Sequence, residues 1–284
     1  MSPTDKASDS AESAKKSATE GGIQSAPEDA TERAQFLAII GGSGLNRLSI
    51  LEGAHRRFVR TPYGEPSCPM TLGKLCGHDM VFLARHGYGH TIAPCDINYR
   101  ANILALKELK VSGIIAVGSV GSIHPSLAPG DLVIPDQLID YTSGRVSSFF
   151  GTYPGVEMHI DFTHPFDQPL RESLSAAADL LGFNIKDGGV YACTQGPRLE
   201  TAAEIRRLAG DGADIVGMTA MPEAVLAREL KIPYAQLNVV ANYAAGIAQS
   251  AEGIEFSALG PVLEDAMCKV RLMIEALVGC KLPN

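Results

Sequence analysis

The chain has 284 residues, of which 45% are hydrophobic and 20% charged, and its formal net charge is -8. This length is enough for one large domain with a substantial core. The negative charge, with no basic stripe to offset it, argues against nucleic acid as a partner. No apolar run approaches the roughly 20 residues that span a bilayer, so the sequence does not predict a membrane protein.

The cysteines carry no metal-binding or disulfide pattern. There are six of them, with no Cys-x-x-Cys spacing and no His/Cys cluster of the kind that binds zinc. The chain also opens without the basic, apolar and small-residue succession of a secretory leader. We therefore expect reduced thiols, no metal and a cytoplasmic protein.

The first part of the chain differs in composition from the rest. Residues 1–34 are rich in Ser, Ala, Thr, Glu and Lys, and Ile23 is their only aliphatic residue larger than Ala. Such a segment buries too little apolar surface to offset its ordering entropy, so we predict a disordered tail. A short amphipathic docking helix is the alternative. The folded domain is then expected over residues 35–284.

Strand and helix patterns alternate from residue 36 onwards. The first strand, 36–40, runs into the glycines of 41–45, but the spacing is not that of a dinucleotide fingerprint. Residues 140–164 form a long polar and aromatic loop, which is typical of a lid or an interface element. The pattern predicts an α/β fold, a single domain with a central, mostly parallel, twisted and partly barrel-like sheet flanked by helices. Further strands are expected at 51–60, 70–74, 80–84, 114–119, 132–135, 138–139, 190–193 and 234–240, and helices at 98–110, 169–181, 200–208, 222–230 and 257–278.

Several of these strands end in residues suited to a ligand. Arg85 and His86 follow the strand 80–84 on a glycine-containing loop. Arg offers a bidentate fork to an oxyanion and His a second donor, so the pair suits phosphate, although such a loop can equally be a solvated surface. Gly118 and Ser119 end another strand and would let backbone approach a ligand.

Glu200 and Asn242 suit a flat heterocycle. A carboxylate accepts from a ring N–H, and a carboxamide donates and accepts at once. A 6-oxopurine offers that complement, whereas the N1 of a 6-aminopurine is an acceptor and would face the carboxylate lone pairs. The structural alternative for Glu200 is a first-turn residue of the helix 200–208, where it would complement the helix dipole.

With these segments in place, the chain resembles the trimeric purine nucleoside phosphorylase and 5′-methylthioadenosine phosphorylase family. The resemblance covers residues 36 to about 278 and excludes the tail. The matching pieces are Gly-Gly-Ser-Gly-Leu at 41–45, Arg-His-Gly-Tyr-Gly-His-Thr at 85–91, Asn-Tyr-Arg-Ala-Asn at 98–102, Pro-Gly-Asp at 129–131, Gly-Pro-Arg at 196–198, and Gly-Met-Thr at 217–219 followed by Pro222 and Glu223.

The resemblance implies phosphorolysis, in which inorganic phosphate attacks the anomeric carbon of a purine nucleoside and releases the base. Phosphate is then a co-substrate, no metal or organic cofactor is implied, and the assembly is a homotrimer. The carried-over phosphate site consists of Ser43, Arg85, His86, the backbone at Ala116, and Thr219. Met218 is expected against the ribose and Leu199 against the base. His159 and its loop resemble the family element that reaches into a neighbouring pocket.

The departures from the family pattern bear on the substrate. Methylthioadenosine phosphorylases of the family typically carry Asp where this chain has Asn242 and Ala244, and Ser where it has Glu200. Asn242 and Glu200 match the branch that handles inosine and guanosine, with Asn242 expected to stabilise the departing base, but no His follows His164 to meet a 5′-hydroxyl. Residues 254–262 offer apolar side chains instead, including Phe256 and Leu259.

An oxo-reading base site and an apolar 5′ site together indicate 5′-methylthioinosine as substrate. Phosphorylases of inosine and guanosine, or of methylthioadenosine, are the alternatives within the class. A non-catalytic purine-binding module is the alternative outside it, but a binder of neutral nucleoside has no need of a phosphate cluster.

Overall fold

The computed structural model of the protein describes residues 36–42, 45 and 51–280. The predicted tail lies outside these residues and stays a prediction. The described strands are β1 (Leu37–Gly41), β2 (Glu52–Arg57), β3 (Met70–Leu75), β4 (His78–Ala84), β5 (Gly113–Ser122), β6 (Leu132–Ile134), β7 (Gln137–Asp140), β8 (Ile185–Asp187), β9 (Val190–Cys193), β10 (Ile215–Gly217) and β11 (Tyr234–Tyr243). The helices are α1 (Tyr99–Glu108), α2 (Gln168–Leu180), α3 (Ala202–Gly210), α4 (Ala220–Glu229) and α5 (Leu259–Leu277).

These strands form one mixed sheet. Its main path is β2-β3-β4-β1-β5-β10-β9-β7, with β11 also beside β5 and with β6 joining β11 to β8. Pairings of β1 with β4 and β5, and of β5 with β11, are parallel, whereas β10 meets β5 antiparallel and β2–β3–β4 is an antiparallel meander. The predicted α/β fold with a mostly parallel sheet is confirmed, since six of the ten strand pairings are parallel. The sheet is not a closed barrel, because β2 and β7 remain as separate ends of the path.

Strand β5 is the centre of this arrangement. Its first residues pair with β1, its last residues pair with β10, and β11 accompanies it along the other side. Its apolar residues Ile114, Ile115 and Val117 are fully buried, as near-continuous hydrophobic runs in doubly covered parallel strands should be. The sheet therefore delivers the ends of β1, β4, β5 and β11 to one region of the molecule.

The helices cover this sheet and begin at residues with clear capping chemistry. Asn98 caps α1, Asp167 caps α2 with Pro169 in its first turn, and Thr201 forms a capping box with Glu204 at α3. Helix α5 buries part of the predicted apolar stripe against the core, namely Ala266, Val270 and Met273. None of the described helices has the length and apolarity to cross a bilayer.

One pair of cysteines corrects the expectation of six reduced thiols. Cys76, in the turn between β3 and β4, forms a disulfide with Cys280, just beyond α5. The two residues are 204 positions apart and only the packing of α5 brings them together, so no local spacing could have revealed the bond. Cys68, Cys95, Cys193 and Cys268 are free.

We expect Cys280→Ser to lower the free energy of unfolding by about 2–5 kcal/mol, because the bond closes a very long loop in the unfolded chain. Chemical denaturation of the variant and of the wild type, each with and without dithiothreitol, measures this. Cys268→Ser replaces an exposed free cysteine and serves as the control. Equal stability of the wild type in the two conditions would contradict a stabilising bond.

Candidate active site

A cavity of about 650 Å³ lies where the sheet strands end. Its walls come from the segments that follow β4, β9 and β10, from the last residues of β5 and β11, and from the segment leading into α5. This is the position at which open α/β sheets bind ligands, and the volume suits a small molecule. Among the described residues, no group of three or more His, Cys, Asp or Glu side chains is arranged to hold a metal ion.

A buried arginine forms one end of the cavity. The Arg85 Nε and Nη2 atoms each donate to Glu223 at 2.8 Å, and Nη1 donates to the carbonyl of Val117 at 3.0 Å. Glu223 also accepts from the Tyr234 hydroxyl at 2.9 Å. Burial alone would lower the pKa of Arg85, but the Glu223 charge and hydrogen bonds raise it well above its usual range. Arg85 is thus a permanent, rigidly held cation at this end.

Small residues leave this end of the cavity open to an anion. Gly42 lines the cavity, and a Cβ there would lie 3.0 Å from the Arg85 Nη1 atom. Thr219 also lines it, and at the start of α4 its side chain makes no capping hydrogen bond among the described residues. A cation, a hydroxyl and glycine backbone together favour an oxyanion.

Two of the predicted phosphate residues require comment. Ser43 lies outside the described residues and stays a prediction. Ala116 does not line the cavity, because it sits in mid-strand, in register with Ile40 on one side and Gln236 on the other. Ser119 lies three residues further along β5 and does line the cavity, whereas the phosphate contact at Ala116 stays a prediction.

His86 is a nearly buried neighbour of Arg85. Its Nδ1 lies 2.9 Å from the carbonyl of Ile92, which can only accept, so Nδ1 carries the proton. Burial, followed by the charge of Arg85, lowers the pKa of His86 to about 4. The ring is therefore neutral near pH 7 and offers Nε2 as an acceptor, rather than the second donor expected from sequence.

This depressed pKa has a consequence for stability. Between about pH 6.5 and about pH 4 the unfolded imidazole is protonated and the native one is not, so the unfolded state gains protons as the pH falls. We expect this group to lose about 2 kcal/mol of stabilisation between about pH 8 and about pH 5. Denaturation curves of wild type and His86→Gln at both pH values test this, with the exposed His78→Gln as control. Equal pH dependence in His86→Gln and wild type would contradict it.

Glu200 lines the same cavity and is outside α3. Thr201 is the N-cap and Glu204 is the acidic residue of the first turn, so the alternative role of Glu200 in complementing the helix dipole is not supported. The Thr194 hydroxyl donates to Glu200 Oε1 at 2.6 Å. This bond orients the carboxylate and leaves its second oxygen for a ligand N–H.

Asn242 reaches the cavity through an irregularity in β11. The register with β5 shifts between Val240 and Asn242, so Asn242 pairs with Gly121. Such a bulge re-aims the side chain that follows it. The Asn242 Nδ2 donates to the carbonyl of Tyr243 at 2.6 Å, which fixes the amide orientation. Glu200 and Asn242 are therefore both oriented groups on the walls of one cavity.

Much of the remaining wall is apolar. Leu199, Met218 and Ala244 line the same cavity as these polar groups. Gly196 admits this arrangement, because a Cβ there would lie 2.6 Å from the Met218 sulfur. Towards α5 the wall consists of Ile254, Phe256, Leu259 and Leu263.

Like Ala116, His159 is a predicted site residue that the cavity of this chain does not include. It is exposed on the loop 141–164 and does not line the cavity. The same loop exposes Val146, Phe150 and Met158. The family resemblance predicts that it reaches into the cavity of a neighbouring subunit.

Several lining residues were missed in the sequence. Ile92 and Pro94 form part of the wall, and Leu263 extends the apolar end. Ile92 and Pro94 follow the Arg-His loop directly, so the loop motif itself is the signal that could have included them. Leu263 belongs to the apolar stripe of α5, where no pattern separates core residues from cavity residues.

Comparisons with known proteins agree with this geometry. A family model described as the phosphorylase superfamily matches residues 36–278. A probable S-methyl-5′-thioinosine phosphorylase from Pseudomonas syringae pv. tomato is 49% identical over 85% of this chain and 98% of its own. A 6-oxopurine nucleoside phosphorylase from Pyrococcus furiosus is 48% identical over 74% of this chain and 80% of its own. The solved methylthioadenosine phosphorylase from Schistosoma mansoni in complex with adenine superimposes with a TM-score of 0.81 at 31% identity, covering 86% of this chain and 91% of that one. The chain belongs to the phosphorylase superfamily.

Proposed function

We propose that the protein catalyses phosphorolysis of S-methyl-5′-thioinosine, giving hypoxanthine and 5-methylthioribose 1-phosphate. The observation that carries the proposal is a single cavity with three parts of different chemical character. An anion end holds Arg85 and Thr219, a polar wall holds Glu200 and Asn242, and an apolar end holds Phe256 and its neighbours. Phosphate, base and methylthio group match these parts in turn.

The reaction needs no protein nucleophile. A phosphate oxygen forms a bond to the anomeric carbon as the bond from that carbon to the purine nitrogen breaks. The sugar passes through a cationic state between two anions, and the leaving base takes the bonding electron pair. Phosphate held by Arg85 and Thr219 stabilises the cation, and a hydrogen bond from Asn242 stabilises the negative charge of the base. Phosphate is a substrate, and we propose that no cofactor takes part.

The polar wall favours a 6-oxopurine. Glu200, with one oxygen held by Thr194, accepts from the base N1–H, and Asn242 donates to the base. A 6-aminopurine would present an N1 lone pair to the carboxylate. A site whose polar groups are left unpaired by the wrong base discriminates by roughly 10⁴-fold.

The apolar end favours a methylthio group over a 5′-hydroxyl. Ile254, Leu259 and Leu263 offer it no polar side-chain atom. Burying a hydroxyl there without a partner costs about 1–3 kcal/mol. Relatives named S-methyl-5′-thioinosine phosphorylase support this substrate, whereas those named 6-oxopurine nucleoside phosphorylase make inosine and guanosine the second candidate substrates.

The test is base release from methylthioinosine, inosine and methylthioadenosine, each with and without phosphate, measured as kcat/KM. Phosphate-dependent release that favours methylthioinosine is expected. Preference for inosine would refute the apolar assignment, preference for methylthioadenosine would refute the assignment of Glu200 and Asn242, and release without phosphate would refute phosphorolysis.

We also propose a homotrimer in which His159 completes a neighbouring cavity. Its exposure, and that of Val146, Phe150 and Met158 on the same loop, supports an intersubunit position. Mixing two variants of lowered activity, His159→Ala and Asn242→Ala, should raise activity above that of either alone, because mixed assemblies contain some sites with both residues. No recovery in mixtures that size-exclusion chromatography shows to be hetero-oligomers would contradict the shared site.

We further propose a cytoplasmic location, and the disulfide provides a test of it. Reducing compartments keep thiols reduced. Alkylation of intact cells before lysis measures the redox state of Cys76 and Cys280, for which a cytoplasmic location predicts free thiols. A pair that is already oxidised in the cells would contradict the location.

A further inference from the structure

A half-buried arginine outside the cavity connects the segments that form its walls. Arg145 lies in the loop after β7 and does not line the cavity. Its Nη1 atom donates to the carbonyls of Met218 and Met221 at 2.8 and 2.6 Å. Its Nη2 atom donates to the carbonyls of Thr194 and Gln195 at 3.3 and 2.7 Å. One guanidinium therefore bonds both the loop that leads to Glu200 and the turn that carries Thr219.

The network extends to a third wall through Tyr99. The Arg145 Nη1 atom lies 3.2 Å from the Tyr99 hydroxyl, which in turn donates to the carbonyl of Pro94 at 3.0 Å. Pro94 lines the cavity. The Arg145 Nε atom donates to the side-chain carbonyl of Gln195 at 3.1 Å, and this oxygen also accepts from the Ser143 N–H. All three nitrogens of the guanidinium are thus engaged.

The loop that carries Arg145 is itself anchored. Glu229 of α4 accepts from the Ser148 hydroxyl at 2.5 Å and from the Phe149 N–H at 2.6 Å, and the Phe149 ring is fully buried. The bonds to Glu229 therefore anchor the loop that carries Arg145, while the guanidinium bonds the two loops of the cavity wall. Lys could not replace it, since an ammonium has three donors and no planar fork.

We propose that Arg145 is a positioning residue that fixes the distance between the base-binding wall and the anion-binding end. Phosphorolysis requires phosphate and purine to lie on opposite sides of one carbon atom, so a small change in the separation of the two loops misplaces one reactant. A misplacement of about 1 Å can cost on the order of 100-fold in rate. Because Arg145 does not line the cavity, its loss acts on kcat more than on either KM.

The test combines kinetics with a structural readout. In Arg145→Ala we expect kcat to fall about 100-fold, with smaller changes in the KM for nucleoside and for phosphate. The kcat of Arg145→Lys should lie between that of Arg145→Ala and that of wild type. Guanidinium chloride, below denaturing concentration, should increase the kcat of Arg145→Ala by at least about tenfold. Hydrogen exchange should rise in the segments 194–200 and 217–221 of the variant.

Arg171 provides the matched control. It is a buried arginine of α2 that donates to the carbonyl of Pro135 at 3.0 Å and to Asp187, away from the cavity. Arg171→Ala should lower stability, leave kcat of the folded enzyme within about twofold, and show no guanidinium rescue. Unchanged exchange in both wall segments of Arg145→Ala, or an unchanged kcat, would overturn the inference.

The inference rests on the proposed function only for its kinetic part. If wild type cleaves none of the nucleosides tested, the proposed function is wrong. Hydrogen exchange in Arg145→Ala still decides whether Arg145 holds the two loops.

Discussion

Replacing Arg85 with Leu should destabilise the protein by about 3–5 kcal/mol and lower phosphate-dependent kcat/KM by about 10³-fold. The first effect follows because Glu223, which is completely buried, would lose its cation and keep its charge. The second follows because the anion end would lose its only described arginine. Chemical denaturation and steady-state kinetics with varied phosphate measure the two effects separately.

A double variant separates the two roles of Arg85. Arg85→Leu with Glu223→Gln removes both buried charges and keeps an acceptor for the Tyr234 hydroxyl, which bonds Glu223 at 2.9 Å. We expect at least half of the lost stability to return while activity stays low. Recovery of activity along with stability would assign Arg85 a purely structural role.

Replacing Asn242 with Asp should shift the ratio of kcat/KM for 6-oxo over 6-amino nucleosides by at least about 100-fold towards the amino substrate. The Asn242 amide donates, which suits the oxygen at purine C6, whereas a carboxylate accepts from an amino group. The Asp carboxylate would also face the carbonyl of Tyr243, to which the amide now donates at 2.6 Å. That proximity should raise the pKa of the Asp carboxyl, so the shift towards the amino substrate should weaken at low pH, where the carboxyl is protonated.

Two further variants bound this result. Asn242→Ala removes the side chain without adding an acceptor, so it should lower activity on both bases and leave the ratio near that of wild type. Adding Glu200→Gln to Asn242→Asp should strengthen the shift, because an amide can donate to the N1 of a 6-aminopurine. An unchanged ratio in both Asp variants would remove Asn242 from base selection.

Much of the fold follows from local patterns in the sequence. The buried strand run 114–119 and the apolar stripe of 257–278 correspond to β5 and α5, because burial on two faces or on one helical stripe leaves its own periodicity. The start of α3 could also have been placed better. Thr201 and Glu204 have the spacing of a capping box, and this signal excludes Glu200 from the helix.

Other features depend on contacts that no local pattern records. Nothing in the sequence around Arg145 shows that its acceptors are carbonyls of residues about 50 to 76 positions away. Local pattern also does not separate Ala116 from Ser119, since both lie within the small and apolar residues of β5 and only the packing of that strand places Ser119 at the cavity. The three-residue strand β8 is too short to have a readable period.

The bulge in β11 separates the part of the strand that packs in the core from the part that lines the cavity. Up to Val240 the strand is packed on both sides, so any change of residue volume there is felt by the core. After the register shift, Asn242 and Ala244 face a ligand space whose contents are exchangeable. We therefore expect substitutions at these two positions to change base preference with little cost to folding.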